Sequence, residues 1–307
     1  MSQSENKKTI KPSLESSLKS NDTEEWIDLI FYRPIGYQWA LFFHKLGFTP
    51  NTVTIISIFL GVGAGILFYP ENLVLNGIGM LLLVWANMYD SADGQLARMT
   101  GQKSELGRIL DGVCGDLWFI SIYVAICLRL TPTWGIWIWL LGAVAGFFHG
   151  QQASTADYYR NIHLFFLNGE KGSELSNSAQ QEELYEKMKW KDGWIQKLFL
   201  WFYKGYTASQ EKRSPGFQQF FLALKQKRLN SIPQSLKDDF RKASLPLMKW
   251  TNVLSFNTRV FVLFISLLIN ETWIYFVFEL TVLNVILLYM IYKHEKLSKH
   301  FYQTLVD

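Results

Sequence analysis

Hydrophobic and polar positions in this chain alternate in long blocks, not in the short periods of strands. Apolar runs of about 20 residues recur near 51–69, 73–90, 108–129, 134–155, 254–271 and 273–293. About 20 residues at 1.5 Å rise cross the roughly 30 Å hydrocarbon core of a bilayer. Turn signals separate the runs: Tyr69-Pro70-Glu71-Asn72, Thr131-Pro132-Thr133 and Asn270-Glu271-Thr272. In lipid every backbone group needs an internal partner, so the runs are predicted to be helices. The expected fold is an all-α polytopic membrane protein with six transmembrane helices plus interfacial or cytoplasmic helices.

Four regions follow from this pattern. Residues 1–22 are a polar, disordered tail with no apolar core, which predicts no cleavable signal peptide. Residues 23–160 hold an interfacial helix and the first four spans. Residues 161–250 form a cytoplasmic or interfacial insertion, and 251–307 carry the last two spans and a short basic tail. Within these, 23–47 mixes aromatics with Arg33, His44 and Lys45, the pattern of a helix lying on the membrane. Residues 184–206 set Trp190, Trp194, Leu198 and Trp201 at helical spacing among Lys189, Lys191, Lys197 and Lys204. That segment fits either an interfacial helix or a small soluble subdomain with its own aromatic core. The turn Gly169-Glu170-Lys171-Gly172-Ser173 lacks the strand and spacing of a phosphate loop and is read as a plain loop.

Composition narrows the class. The chain is 49% hydrophobic and 18% charged, against roughly 25% charged in soluble domains. A net charge of +4 without a basic tract or zinc spacing gives no case for nucleic acid. Cys114 and Cys127 both fall in an apolar run and make no disulfide framework. Lysine and arginine are concentrated on one side: the loops near 70, 131 and 271 hold only Arg129, at an edge, while Arg98, Lys103 and Arg108 stand on the other. This asymmetry predicts that both termini, the 90–108 connection and the 155–250 segment face the cytoplasm.

The chemistry concentrates in residues 87–119, NMYDSADGQLARMTGQKSELGRILDGVCGDLWF. Asp90, Asp93, Asp111 and Asp116 stand at the cytoplasmic ends of the second and third spans. Carboxylates so near hydrocarbon cost a few kcal/mol each and signal function. Asp90 and Asp93, three residues apart, share a helix face, and the loop folds Asp111 back beside them. Converging oxygen ligands suit a hard divalent cation such as Mg²⁺ or Mn²⁺. Gly94 admits a ligand close to the backbone, Ala97 keeps the groove shallow, and Arg98 offers a fork for phosphate. Cations and arginine around carboxylates make an arrangement suited to phosphoryl transfer.

Asp90, Asp93, Gly94, Ala97, Arg98, Gly107 and Asp111 are similar in identity and spacing to the signature of the CDP-alcohol phosphotransferase family. The step Thr49-Pro50-Asn51-Thr52-Val53-Thr54 resembles the family's Pro-Asn step at the start of the first span. The likeness covers about residues 35–160 and leaves the insertion unexplained. It implies that the aspartates, Asp116 included, bind two Mg²⁺ or Mn²⁺ ions holding a donor pyrophosphate. It further implies that Asn51, Gly94, Ala97, Arg98 and Gly107 seat the CDP moiety. The last aspartate is expected to act as general base on an acceptor hydroxyl, with CMP expelled. The implied partners are a CDP-linked lipid or head-group donor, an alcohol acceptor, the bilayer and a second copy of the chain in a homodimer.

The fourth aspartate departs from the pattern, which expects it at 115, where Gly115 stands. A five-residue step turns a regular helix about 500°, so Asp116 would point about 140° away from Asp111. The expectation is that Gly112 and Gly115 permit a π-bulge or wide turn over 111–116 that restores Asp116 to the cluster.

The fourth run ends FFHGQQASTADYYRNIH, an unusually polar exit toward the same face. Tyr158, Arg160 and Arg259 are the candidate acceptor residues, the arginines for an anionic group. Glu279 is the rival partner of Arg259, in a purely structural ion pair. His149 reads as a hydrogen-bonded bundle residue ahead of a base. Two donor arrangements fit: a phosphatidyl group passed from CDP-diacylglycerol to a polar alcohol, or a CDP-linked head group passed to a lipid hydroxyl such as diacylglycerol or ceramide. The non-enzyme alternative is a membrane scaffold or transporter with an impaired site.

Overall fold

The computed structural model describes residues 20–102, 105–169, 173, 175, 177–191, 193–226 and 232–306, with the backbone alone at 105, 106, 108, 109 and 195. The tail expected to be disordered falls outside these residues except at its end, and so does most of the 169–173 turn. A single π-helical turn, Asp28–Tyr32, leads into α1 (Arg33–Lys45). Then come α2 (Pro50–Phe68), α3 (Leu73–Thr100), α4 (Glu105–Trp134) and α5 (Trp137–Asn168). The insertion holds α6 (Ser178–Lys187), α7 (Trp194–Arg213), α8 (Pro215–Gln226) and α9 (Gln234–Val253). The chain closes with α10 (Phe256–Leu268), α11 (Trp273–Leu280) and α12 (Val282–Val306). Among the described residues there is no strand.

Local chemistry sets the boundaries of the helices that carry the aspartates. Thr49 caps α2, its hydroxyl accepting from the Thr52 amide at 3.3 Å, with Pro50 in the first turn. Asn72 caps α3 through the Leu75 amide at 3.0 Å. Gly101, at φ 69°, ends α3 in the left-handed conformation that glycine adopts without steric cost. Helix α2 packs on both α3 and α4, and its contact with α4 is unusually close. A Cβ on Gly61 would lie 2.1 Å from Trp118 Cδ1, while the Trp118 indole donates to the Ser57 carbonyl at 3.0 Å. Small residues at such crossings let backbones approach without any hydrophobic drive between helices.

Among the described residues five stretches are long and apolar enough to cross a membrane: 50–68, 73–100, 110–134, 234–268 and 273–306. The expected fourth span, 134–155, lies in α5, which is not one of them, so six crossings are not established. Its first part exposes Trp137, Leu140, Val144 and Phe147, as a span would, but its second part carries polar side chains that lower the hydropathy of the run. Helix α5 packs on α4, α9 and α11, and its His149, Gln152, Ser154 and Thr155 are buried there. A helix face covered by protein need not be apolar.

At one end of the bundle, Arg129 ties three connections together. It is 6% exposed and donates to the Phe68 carbonyl and Asn76 Oδ1, both at 2.9 Å, to the Pro70 carbonyl at 3.3 Å, and to Asn270. The insertion is built into the bundle, not hung beside it. Phe217, Phe220 and Phe240 from α8 and α9 share one core with Phe166 of α5 and Phe301 of α12. The aromatic face of 194–206 does not form a core of its own. Within 184–206, Trp190, Trp194, Trp201 and Phe202 are 53%, 63%, 50% and 59% exposed.

Candidate active site

The α2–α3–α4 packing brings Asp90, Asp93 and Asp111 together, with one ligand oxygen from each inside a 4.8 Å cluster. Asp93 is buried; Asp90 is partly exposed and Asp111 more so. Like charges this close repel strongly in a low-dielectric setting and are stable as an ionised set with a cation among them. All the donors are hard oxygens, which fits Mg²⁺ or Mn²⁺. Asp93 is also held from the side: Thr54 Oγ1 donates to its Oδ2 at 2.5 Å and sits 3.1 Å from the Pro50 carbonyl.

The cluster forms one wall of a cavity of about 840 Å³. Asn51, Gly94, Ala97, Arg98 and Gly107, all predicted for the donor, line it. A Cβ on Gly94 would stand 3.3 Å from the Arg98 guanidinium, so a larger residue there would crowd the group meant for phosphate. Arg160 also lines the cavity, its Nη2 donating to Ser255 Oγ at 2.8 Å and Asn252 Oδ1 at 3.2 Å.

Three predicted residues lie elsewhere. Helix α4 runs unbroken from Glu105 to Trp134. The expected bulge over 111–116 is absent, and Asp116 is exposed, outside the cavity lining and the aspartate cluster. The two glycines permit a break, but nothing in the packing demands one. A Cβ on Gly112 or Gly115 would meet open space. Arg259 is buried in the bundle, with Nη1 2.5 Å from Glu279 Oε2 and 2.9 Å from His149 Nδ1, and with Nη2 donating to Gln152 Oε1 at 2.8 Å. The structural ion pair is the arrangement adopted, and His149 is a bundle residue within it. Tyr158 is also buried, accepting from Gln218 and packing edge-on against Phe217.

The sequence reading missed the segment before α1. Thr23, Glu24, Glu25, Asp28, Tyr32 and Arg33 supply another part of the cavity lining. Asp22 fastens this segment to the insertion. Arg241 donates to both its oxygens, at 2.7 and 3.1 Å, and His163 Nε2 lies 3.1 Å away. Further along, Arg33 pairs with Glu24 at 2.9 Å, Gln95 donates to the Arg33 carbonyl, and Asn257 donates to Asp28 at 3.1 Å. Burial raises the Asp28 carboxyl above its ordinary value, against the Asn257 hydrogen bond, and pushes Glu25 up to about 7. The only local signal was the acidic run Asp22-Thr23-Glu24-Glu25 beside an aromatic stretch.

Comparison with known proteins agrees with this geometry. A family model described as CDP-alcohol phosphatidyltransferase matches residues 48–158. The chain is 37% identical over 92 residues to the archaetidylinositol phosphate synthase of Pyrococcus horikoshii, covering 30% of this chain and 47% of that protein. It is 31% identical over 91 residues to the phosphatidylinositol phosphate synthase of Mycobacteroides abscessus, covering 30% and 40%. A putative cardiolipin synthase of Mycobacterium bovis is 29% identical over 86 residues, covering 28% and 40%. The chain thus spans less than half the length of each of these relatives.

Proposed function

We propose, from the membership of residues 48–158 in the CDP-alcohol phosphatidyltransferase family, that this chain is a membrane transferase of phospholipid synthesis. It moves a phosphatidyl group from a CDP-diacylglycerol-type donor to the hydroxyl of a polar alcohol and releases CMP. The observation that carries this reading is the convergence of Asp90, Asp93 and Asp111 at the wall of a cavity that Arg98 and Gly94 also line. Relatives named as synthases of inositol phosphate lipids support the choice of a lipid-linked donor.

In this mechanism Asp90, Asp93 and Asp111 would hold the divalent cations, two by the family resemblance, and these would supply positive charge against a donor pyrophosphate and a departing CMP. Thr54 fixes the rotamer of Asp93, so that its carboxylate is aimed before the donor arrives. Arg98 receives a phosphate oxygen, and Gly94 leaves room for its guanidinium. Arg160 is the member of the predicted acceptor set that lines the cavity. From the distribution of lysine and arginine, the aspartate end faces the cytoplasm. A homodimer belongs to the same proposal. Asp116, Ile120 and Val124 stand exposed on α4, and a carboxylate on an outer membrane face is costly unless covered.

The test is CMP release by the purified protein from CDP-diacylglycerol and from CDP-linked head groups, with Mg²⁺ present or withheld, over a panel of alcohols. Metal-dependent CMP release from the lipid donor is expected. Release only from CDP-linked head groups would reverse the donor assignment, and no release from any donor would remove the enzyme reading.

A further inference from the structure

Transfer to an alcohol requires that its hydroxyl lose a proton as the oxygen attacks, and a side chain within reach normally takes it. The residue expected to do so, Asp116, is outside the cavity on a regular helix, and position 115 is glycine. We propose that Glu25, from the segment before α1, is the proton acceptor for the attacking hydroxyl. This rests on the transferase reading above and adds to it a catalytic residue outside the matched segment.

Among the described residues seven carboxylates line the cavity. Asp90, Asp93 and Asp111 form the metal cluster. Glu24 is engaged by both the Nε and Nη2 of Arg33, at 3.0 and 2.9 Å. Asp157 accepts from Asn161 at 3.1 Å and from Tyr206 at 3.3 Å. Asp28 accepts from Asn257 at 3.1 Å. Asn257 bonds to Glu25 as well as to Asp28, but Asp28 and Asp157 border only this cavity; Glu25 also borders a second, outer hollow, and among the described residues no arginine or lysine forms an ion pair with it.

Its position suits proton transfer in a second way. Glu25 borders the inner cavity and also a shallow surface hollow of about 430 Å³, lined by Asp22, Glu24 and Lys249 among others. A proton taken on the inner side therefore has a route to water on the outer side. The groups around it act in both directions. Burial, Asp28 and Glu24 favour the protonated acid, while Asn257 and Arg160 favour the carboxylate. The outcome, about 7, lies where a carboxylate base works best at neutral pH.

The step balances. The acceptor oxygen forms a bond to the phosphorus of the lipid-bearing phosphate, and its proton passes to a Glu25 carboxylate oxygen. The bond from that phosphorus to the CMP oxygen breaks, and its electron pair leaves with CMP. Glu25 then returns the proton to water.

The experiment compares wild type, E25Q, E25D and D116N for CMP release from CDP-diacylglycerol between pH 5.5 and 9, with CDP binding measured by calorimetry as a check on folding. Wild-type kcat/KM should rise with pH through about 7 and level off, because Glu25 acts only when ionised. E25Q should lose about 10²- to 10⁴-fold in kcat and lose the rising limb while binding CDP as wild type does. E25D should recover part of the rate and keep the limb. The proposal is overturned if E25Q keeps its rate, or if the limb survives in E25Q and disappears in D116N. An E25Q protein that no longer binds CDP, together with an E25D protein that binds CDP but has no activity limb, would make Glu25 structural and also overturn it. A wild-type protein without turnover would remove the transferase reading and this role together. An active wild type with an unaffected E25Q removes only the role of Glu25.

Discussion

Arg259 and Glu279 meet inside the bundle with Nη1 2.5 Å from Oε2, their side chains 1% and 0% exposed. Gln152 and His149 supply further polar contacts, and Gln152 also donates to the Glu279 carbonyl and to Asn284. The pair links α10 to α11 and both to α5. An arginine so enclosed is unavailable to an acceptor.

Removing only one partner should therefore destabilise the protein and leave specificity alone. R259A leaves Glu279 uncompensated, at a cost of about 3–5 kcal/mol, whereas R259M/E279L should recover much of that loss. Thermal unfolding in detergent measures both. An R259A protein that melts with wild type and raises only the acceptor KM would return Arg259 to the acceptor site.

The Thr54–Asp93 hydrogen bond is a support for the metal site. T54V keeps the shape and removes the donor, so Mg²⁺ activation should shift to about 10- to 100-fold higher concentration with little change in melting. D93N should abolish activity at every Mg²⁺ concentration. Titration of activity against Mg²⁺ distinguishes the two variants, and an unchanged curve for T54V would contradict the assignment.

The Asp22 clasp carries a pH dependence of defined sign. The Arg241 hydrogen bonds hold the Asp22 carboxyl below its ordinary 3.8, with His163 adding to the effect and burial opposing it. A lowered folded value means that the stabilisation is complete above about 3.8 and is lost as pH falls through the lower, folded value. The segment before α1 should stay protected from amide exchange at neutral pH and open only in stronger acid. D22N should expose it already at pH 7, and exchange equal to wild type there would rule out the clasp.

Arg129 predicts a failure at the other end of the molecule. R129M leaves the Phe68 and Pro70 carbonyls and Asn76 Oδ1 without this donor, each lost partner costing about 1–3 kcal/mol. The melting temperature should fall while KM for the donor stays constant, because these loops do not line the cavity. A change confined to KM would contradict this.

The sequence made the aspartate trio legible because its ligands lie close along the chain and on two adjacent helices, where spacing alone fixes direction. The apolar runs were legible for a similar reason, since length against bilayer thickness is a local property. Asp116 was misjudged because a glycine pair permits a break without requiring one, and the space beside Gly112 and Gly115 exerts no pull. Arg259 admitted two partners in sequence, and only packing chose between them. Glu25 and Asp28 were hidden because their surroundings come from the far end of the chain. Asp28 bonds to a residue 229 positions later.

That separation bears on how the protein is made. Glu24, Glu25, Asp28, Tyr32 and Arg33 line the same cavity as residues 255–257, so a nascent chain carries its aspartates into the membrane long before α10 leaves the ribosome. During that interval the aspartates exist without the part of the lining formed by Ser255, Phe256 and Asn257. Chains interrupted before α10 would thus be expected to capture cations without turning over substrate, and competence would arrive in one late step of synthesis.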